Sequence, residues 1–449
     1  MLALLLLLAQ LPPVEPVQAP AESALRAPLP APPLAPADEG PVLPLAEALR
    51  TARAQAPDLA LAAERLVQAQ DNVERAWAAL RPTLNAQAGY AYNSVGNLSF
   101  KNLQIVQGSH GSETASLNFA WNLLNLRAFP ALSSARQQAE VARLGETQAR
   151  RELLLQVATT YYSGAALREL SLVARRQALT THEHAREAEA RYQAGTIQLS
   201  GALRARIDAL RADQEVLRAG FSYAAAKSQV AALLDRHDTA FELAPPEAPP
   251  EELRGPFREL LEQALRERPE MAAARAGEEI AARLKTDAWY QFLPTLGFSA
   301  NARYADPATS GTGDKGTWGL ALALTVPLYD GGFRYVALKD ADSSARQARA
   351  QTRGQASRIE DELRRAELDV ASARALREEA EQGLLLAREN ERLVRAQFSA
   401  GTATQVEVSD AEAALFQGES NALQQRLSVQ LAALRVAKAI GAFDEGGSK

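Results

Sequence analysis

The sequence predicts a mainly α-helical chain with a small β portion, built from one structural unit used twice. Three observations carry this. Pro57, Trp77 and Pro82 recur as Pro269, Trp289 and Pro294, each displaced by 212 residues. Two long runs, Leu132 to Tyr192 and Leu338 to Phe398, contain no proline and suit long helices. Four segments of about ten residues break the helical spacing and alternate with a period of two.

The duplication extends beyond its anchors. Arg81-Pro82-Thr83-Leu84 answers Leu293-Pro294-Thr295-Leu296, while Ala194-Gly195-Thr196 matches Ala400-Gly401-Thr402 at a displacement of 206. The residues lost between these anchors imply a loop of different length, because loops absorb insertions and packed elements do not. The halves run over 45–240 and 257–441, joined by a Pro-rich linker at 241–256 and followed by a tail at 442–449. A repeat of this length is a duplicated domain half and not a solenoid unit.

Composition narrows the class. Aromatics at 6% with abundant alanine suit closely packed long helices, and a net charge of −5 argues against a nucleic-acid binder. Cysteine is absent, which removes disulfides, thiolate metal sites and a lipid-bearing cysteine. The apolar run Leu2 to Leu11 is too short to span a bilayer and reads as a secretory h-region, giving a signal peptide over 1–19. No Lys or Arg precedes it, which leaves two readings open: a true start further upstream, or a buried or disordered leader. Residues 20–44, rich in Pro and Ala, form an extended tether.

In each half a short helix comes first, over 45–55 and 257–267, cut off by Pro57 and Pro269 because proline cannot continue the helical ladder. Detached in this way, it can lie across the other helices as a strap. Helices over 58–80 and 270–292 follow.

The strands come next, over about 83–93, 114–123, 295–304 and 317–328. One face of the first carries Leu84, Ala86, Ala88, Tyr90 and Tyr92; the other carries Asn85, Gln87, Gly89 and Asn93. The last sets Trp318, Leu320, Leu322, Leu324, Val326 and Leu328 against Thr317, Gly319, Ala321, Ala323 and Thr325. Each has the length a tilted strand needs to cross hydrocarbon, and the small polar faces would leave a lumen open. Trp77, Trp121, Trp289 and Trp318 lie in or beside these strands, as membrane-interface aromatics would. Loops 94–113 and 305–316 read as surface hairpin connections. Four strands cannot close, and an open edge in lipid leaves backbone groups unsatisfied, so spanning strands require an oligomer. A dimer gives eight strands and a filled interior; a trimer gives twelve and a water-filled bore, and is the favoured reading.

The long runs are helices of about 90 Å each. In the second, Leu338, Ala341, Ala345, Ala348, Thr352, Ile359, Leu363, Ala366, Val370 and Ala373 form a coiled-coil seam whose alanines permit close approach. Gly195 and Gly401 end the two helices through the left-handed conformation that glycine readily adopts. The chain returns as helices over 198–235 and 404–441, giving long antiparallel hairpins.

Several motifs then stand in order: the Pro-Thr-Leu approach to a strand in each half, the two Ala-Gly-Thr turns, and Val326-Pro327-Leu328-Tyr329-Asp330-Gly331-Gly332 leaving the last strand. Through them the chain resembles the outer-membrane efflux channels, the TolC-like family, across nearly its whole mature length. The resemblance implies a homotrimer in which long helical hairpins form an α-barrel through the periplasm and four strands per chain contribute to a 12-stranded transmembrane β-barrel in outer-membrane lipid. It implies an exit duct, working with an inner-membrane transporter and a periplasmic adaptor (membrane fusion) protein in efflux or type I secretion.

Residue by residue, Val406-Glu407-Val408-Ser409-Asp410 resembles the segment that places acidic side chains at the tunnel mouth. Glu407 and Asp410 share a helix face and would form two acidic rings in a trimer, favouring cations; the alternative is a solvated helix face. The turns Ala194, Gly195, Thr196 and Ala400, Gly401, Thr402 resemble the tip that meets the adaptor. Where some relatives carry a gate-locking arginine this chain has Ala403, and the matching acidic position is Gly201, which argues against that gate bond here.

An enzyme is not expected, and no cofactor is implied. His182-Glu183-His184 lacks the i, i+4 histidine spacing of a helical zinc site and reads as part of a charged, solvated helix face; no phosphate loop or nucleophile elbow occurs. The competing class, a periplasmic coiled-coil adaptor or scaffold, would explain the heptads but not four alternating strands with tryptophans beside them.

Overall fold

A computed structural model describes residues 31, 40–93, 96–100, 103–107, 110–126, 128–243, 255–308 and 313–442. The segment read as a signal peptide, most of that read as a tether, the central part of the linker and nearly all of the tail lie outside these residues.

The chain divides into two compact units. Unit one takes the described residues within 1–57, 150–264 and 360–449; unit two takes those within 58–149 and 265–359. In chain order the elements are β1 (Val42–Leu43), α1 (Leu45–Gln55), α2 (Pro57–Ala78), β2 (Thr83–Asn93), β3 (Gly96–Phe100), β4 (Leu103–Gln107), β5 (His110–Leu124), α3 (Ala128–Gln193) and α4 (Leu199–Leu233). The second half gives β6 (Glu242–Leu243), α5 (Phe257–Glu267), α6 (Pro269–Tyr290), β7 (Thr295–Asp306), β8 (Gly316–Thr325), α7 (Phe333–Ser399) and α8 (Gln405–Ile440).

The proline breaks behave alike in both halves. Ala56 and Arg268 each precede a proline and adopt extended backbone, with ψ of 127° and 126°. The proline ring excludes the helical conformation at the preceding residue, so α1 and α5 stop there and the next helix begins.

Unit two contains the four-stranded sheet, ordered β2-β5-β7-β8 and antiparallel throughout. Its register extends the sequence alternation across all four strands. Ala86, Leu117, Ala302 and Trp318 form one cross-strand row, and Leu84, Phe119, Ala300 and Leu320 form another on the same face. Asn85, Asn118, Asn301 and Gly319 align on the opposite face, beside Gln87, Ser116, Arg303 and Thr317. Phe119 and Phe298 meet edge to face with centroids 5.9 Å apart. Strands β2 and β8 are the sheet's edges.

Two strand expectations need correction. The segment 94–113, read as a surface hairpin connection, contains a second hairpin, β3 with β4, and the start of β5 at His110. Its Gly, Ser and Asn content suggested a loop, yet Leu98, Phe100, Leu103 and Ile105 recur at alternate positions within it. At the other end β8 stops at Thr325 instead of continuing to Leu328, because Pro327 has no N–H to donate to a ladder.

In unit one the core is thin and rich in alanine. Ala174 and Ala178 of α3 pack with Ala212, Val216 and Ala219 of α4, and Leu260 of α5 joins Leu363, Ala366, Ala439 and Ile440. Along α7, Ala345 and Ile359 of unit two and Ala366 and Ala373 of unit one are buried at multiples of seven residues, all of them positions of the coiled-coil seam the sequence predicts, and Ala380 continues the spacing. Arg388–Glu419, Arg426–Glu381 and Arg435–Asp369 bridge α7 to α8.

Unit one also contains a parallel pair not expected from the sequence, β1 with β6. The Tyr161 hydroxyl donates to the Leu43 carbonyl at 2.8 Å, the Tyr223 hydroxyl accepts from the Leu243 N–H at 3.1 Å, and Arg168 pairs with Glu242 at 2.6 Å. Two residues per strand are too few to leave a period-two signature. The fully buried Phe241 and Leu243 hold the pair down.

Candidate functional site

The two hairpin turns close the preceding helix in the same way. Gly195 and Gly401 have φ of +73° and +78°, in the left-handed region. The N–H of Thr196 donates to the Arg191 carbonyl and that of Gly195 to Tyr192, both at 2.9 Å; Thr402 and Gly401 repeat this on Gln397 and Phe398. This is a Schellman closure, satisfying the carbonyls a helix end leaves open. Each threonine hydroxyl also donates to the same carbonyl, at 2.9 Å in the first turn and 3.0 Å in the second. Ala194 and Ala400 complete the turns.

Glu407 and Asp410 fall in the first two turns of α8, both exposed. Each already has a local partner. The Thr404 N–H donates to the Glu407 carboxylate at 2.6 Å and the Thr404 hydroxyl at 2.9 Å, while the Glu407 N–H donates back to that hydroxyl. This capping box holds the Glu407 carboxyl below the ordinary carboxylate range, chiefly through the Thr404 backbone hydrogen bond. Asp410 accepts from Arg204 of α4 at 3.3 Å.

The histidine cluster overturns its reading as a solvated face. His182 is 2% exposed, and its Nε2 lies 2.9 Å from Oδ1 of the buried Asp213. His184 is half-buried, with Nε2 2.7 Å from the buried Glu412 of α8 and 3.3 Å from the Arg395 guanidinium of α7. The charged neighbours Glu183, Arg186 and Glu187 suggested solvent. A seam running through Ala174, Ala178, Thr181, Ala185 and Ala188, all buried, was the signal that could have placed His182 inside.

On the sheet, the apolar rows are strongly exposed in the single chain: Trp318 at 78%, Leu320 and Leu322 at 65%. The tryptophans fall at different levels. Trp121 lies in the row of Phe298 and Leu322, whereas Trp318 pairs with Ala302, four residues further along the strands. That separation is about 14 Å at the rise of an antiparallel strand. The Trp121 indole N–H donates to the Leu80 carbonyl at 3.2 Å, Trp77 carries Arg136 over its ring at 5.7 Å, and Trp289 packs on Phe292 at 5.5 Å.

One residue that sequence reasoning missed fixes the passage from β8 to α7. Arg334 is 7% exposed; its Nε donates to Asp330 at 2.7 Å, its Nη1 to the Pro327 carbonyl at 3.0 Å, and its guanidinium lies 4.6 Å from the Phe292 ring centre. Asp330 in turn accepts from the N–H groups of Gly332 and Arg334, capping α7, while Gly331 and Gly332 take positive φ. No helix among the described residues is long and apolar enough to cross a membrane.

The fold has close solved counterparts. The outer membrane protein VceC of Vibrio cholerae is 22% identical, with 88% of this chain and 96% of that chain covered and a TM-score of 0.71. The CmeC outer membrane channel of Campylobacter jejuni is 16% identical over 88% of this chain and 85% of that chain, with a TM-score of 0.75. The MtrE outer membrane channel of Neisseria gonorrhoeae, solved in its open state, is 18% identical over 90% and 91%, with a TM-score of 0.71. At these identities the likeness is one of fold. No curated protein matches the chain. The sequence pattern of one family matches residues 48–236 and 260–442, covering both halves of the duplication. The chain therefore belongs to the outer membrane efflux protein family.

Proposed function

We propose that this chain is the exit duct of a tripartite efflux or type I secretion system. It conducts substrate passively, without chemical turnover, from an inner-membrane transporter and periplasmic adaptor to the exterior. The observation that carries the reading is the sheet: apolar rows in register on one face, small polar rows on the other, and two unpaired edges. Edges cannot stay open in hydrocarbon, so β8 of one copy pairs with β2 of the next, and three copies close a 12-stranded barrel. Lipid then meets Leu320 and Leu322, and water meets Asn85, Asn118 and Asn301. Trp77, Trp121, Trp289 and Trp318 serve as interface aromatics, at more than one depth.

The turns around Gly195 and Gly401 meet the adaptor. Glu407 and Asp410 favour cations at the tunnel mouth, Asp410 with its charge partly compensated by Arg204. Membrane fractionation and bilayer recording test the whole reading. The protein should pellet with outer membranes, migrate as a trimer in mild detergent and insert a conducting pore. Release by osmotic shock as a non-conducting monomer would identify a periplasmic scaffold instead.

A further inference from the structure

The ring nitrogen Nε2 of His184 faces two groups that require opposite roles of it. Glu412, on α8, has its Oε1 at 2.7 Å and needs a donor; Arg395, on α7, reaches the same nitrogen at 3.3 Å and needs an acceptor. The nitrogen can satisfy only one of them at a time. Glu412 Oε1 is buried and has no aligned hydrogen bond, a costly condition for a carboxylate oxygen. His184 belongs to the first hairpin, and both of its rivals belong to the second.

We propose that His184 is a proton-operated latch joining the two helical hairpins of a protomer near their tips. His184 lies eleven residues before Gly195 and Glu412 eleven after Gly401, each about 17 Å from its turn along the helix. With the ring protonated, Nε2–H donates to Glu412 and the hairpins are tied by a buried ion pair. With the ring neutral and its proton on Nδ1, Nε2 accepts from Arg395: the buried ion pair to α8 is gone, a weaker hydrogen bond to an exposed side chain of α7 is what still joins the hairpins, and the tie loosens.

The surrounding charges fit this exchange. On α3, Glu187 stands 3.9 Å from Nδ1 and is itself held by Arg191 at 2.7 Å. On α7, Arg395 has Glu391 at 2.7 Å to return to, and lies 3.7 Å from Glu412. On α4, the neighbouring acid Asp213 is committed to His182. The Glu412 carboxylate raises the His184 pKa above the usual histidine value, with burial opposing it. A raised pKa means the ion pair to Glu412 is complete on the acid side and is lost as pH rises through the raised value. The exposed pair Arg204–Asp410 also links the hairpins.

The chain has no cysteine, so a spin-label pair at Ala194→Cys and Ala400→Cys reports the tip spacing of the full-length trimer cleanly. Distances measured in detergent at about pH 6 and about pH 8.5 bracket the histidine range. The unaltered latch should give a narrow distribution at the lower pH and a broader one at the higher. His184→Gln and Glu412→Gln should both be broad at both values, and His184→Lys narrow at both. A pH response that persists in His184→Gln, or none in the unsubstituted chain, overturns the latch. Its consequence for conduction rests on the duct reading: bilayer conductance should step up with pH and lose that step in His184→Gln. A tip response without any conductance leaves the latch standing and removes the duct.

Discussion

Arg204 donates to Asp410 at 3.3 Å, and the two residues are 206 positions apart, the displacement that relates the two Ala-Gly-Thr turns. Equivalent positions of the duplicated halves thus carry opposite charges and pair with each other. Such exposed pairs are worth about 0.2–1 kcal/mol, enough to change the charge offered to an ion but not to hold the fold. Arg204→Gln should strengthen block of single-channel current by a trivalent cation up to about fivefold, while Glu407→Ala with Asp410→Ala should weaken it. Unchanged block in both variants would remove the acidic residues from ion selection.

The turn glycines give a second test. Proline fixes φ near −65°, opposite in sign to the +73° and +78° at Gly195 and Gly401. Gly195→Pro and Gly401→Pro should abolish the Schellman closure and impair export while trimers still form on mild-detergent gels. Gly195→Ala should be intermediate, with a left-handed penalty of roughly 1–2 kcal/mol. Normal dye efflux in both proline variants would separate the tips from adaptor docking.

The two sheet faces should respond oppositely to charge. Leu320→Arg, in the row midway between those of Trp121 and Trp318, places a cation on the apolar face and should cost about 2–4 kcal/mol at mid-membrane, visible as lost heat-modifiable trimer. Ser299→Arg, on the small polar face of the adjoining strand, should assemble and alter conductance. Equal tolerance at both sites would contradict the division into lipid and lumen faces.

Arg334 is expected to govern the sheet-to-helix junction. The guanidinium holds the Asp330 carboxyl below its ordinary value, so their tie is complete above that value and lost only as acidification passes the depressed one. Arg334→Ala should therefore lower the thermal midpoint and open the 327–333 turn to protease at a higher pH than in the unsubstituted chain. Arg334→Lys should restore charge but not the hydrogen bond to the Pro327 carbonyl, and should rescue only in part.

Local pattern made much of this protein legible. Pro57 and Pro269 placed the helix breaks, Gly195 and Gly401 placed the turns, and alternation sorted the residues of β2, β5, β7 and β8 onto two faces before any pairing was known. The candidate site was legible in part: Glu407 and Asp410 could be placed on one helix face, but not the partners each had acquired.

What the sequence by itself determined was the duplication, the long helices and the four main strands to within a few residues at their ends, and the facing of those strands; the β3–β4 hairpin and the inward face of His182 it left unread. Only the tertiary structure decided which distant groups meet: Arg204 with Asp410, His182 with Asp213, His184 with Glu412 and Arg395, and β1 with β6. The physical reason is that each long helix repeats a nearly uniform alanine seam, so many sliding registers satisfy the same local pattern. Packing of whole elements selects one register, and that selection fixes which charges are buried together.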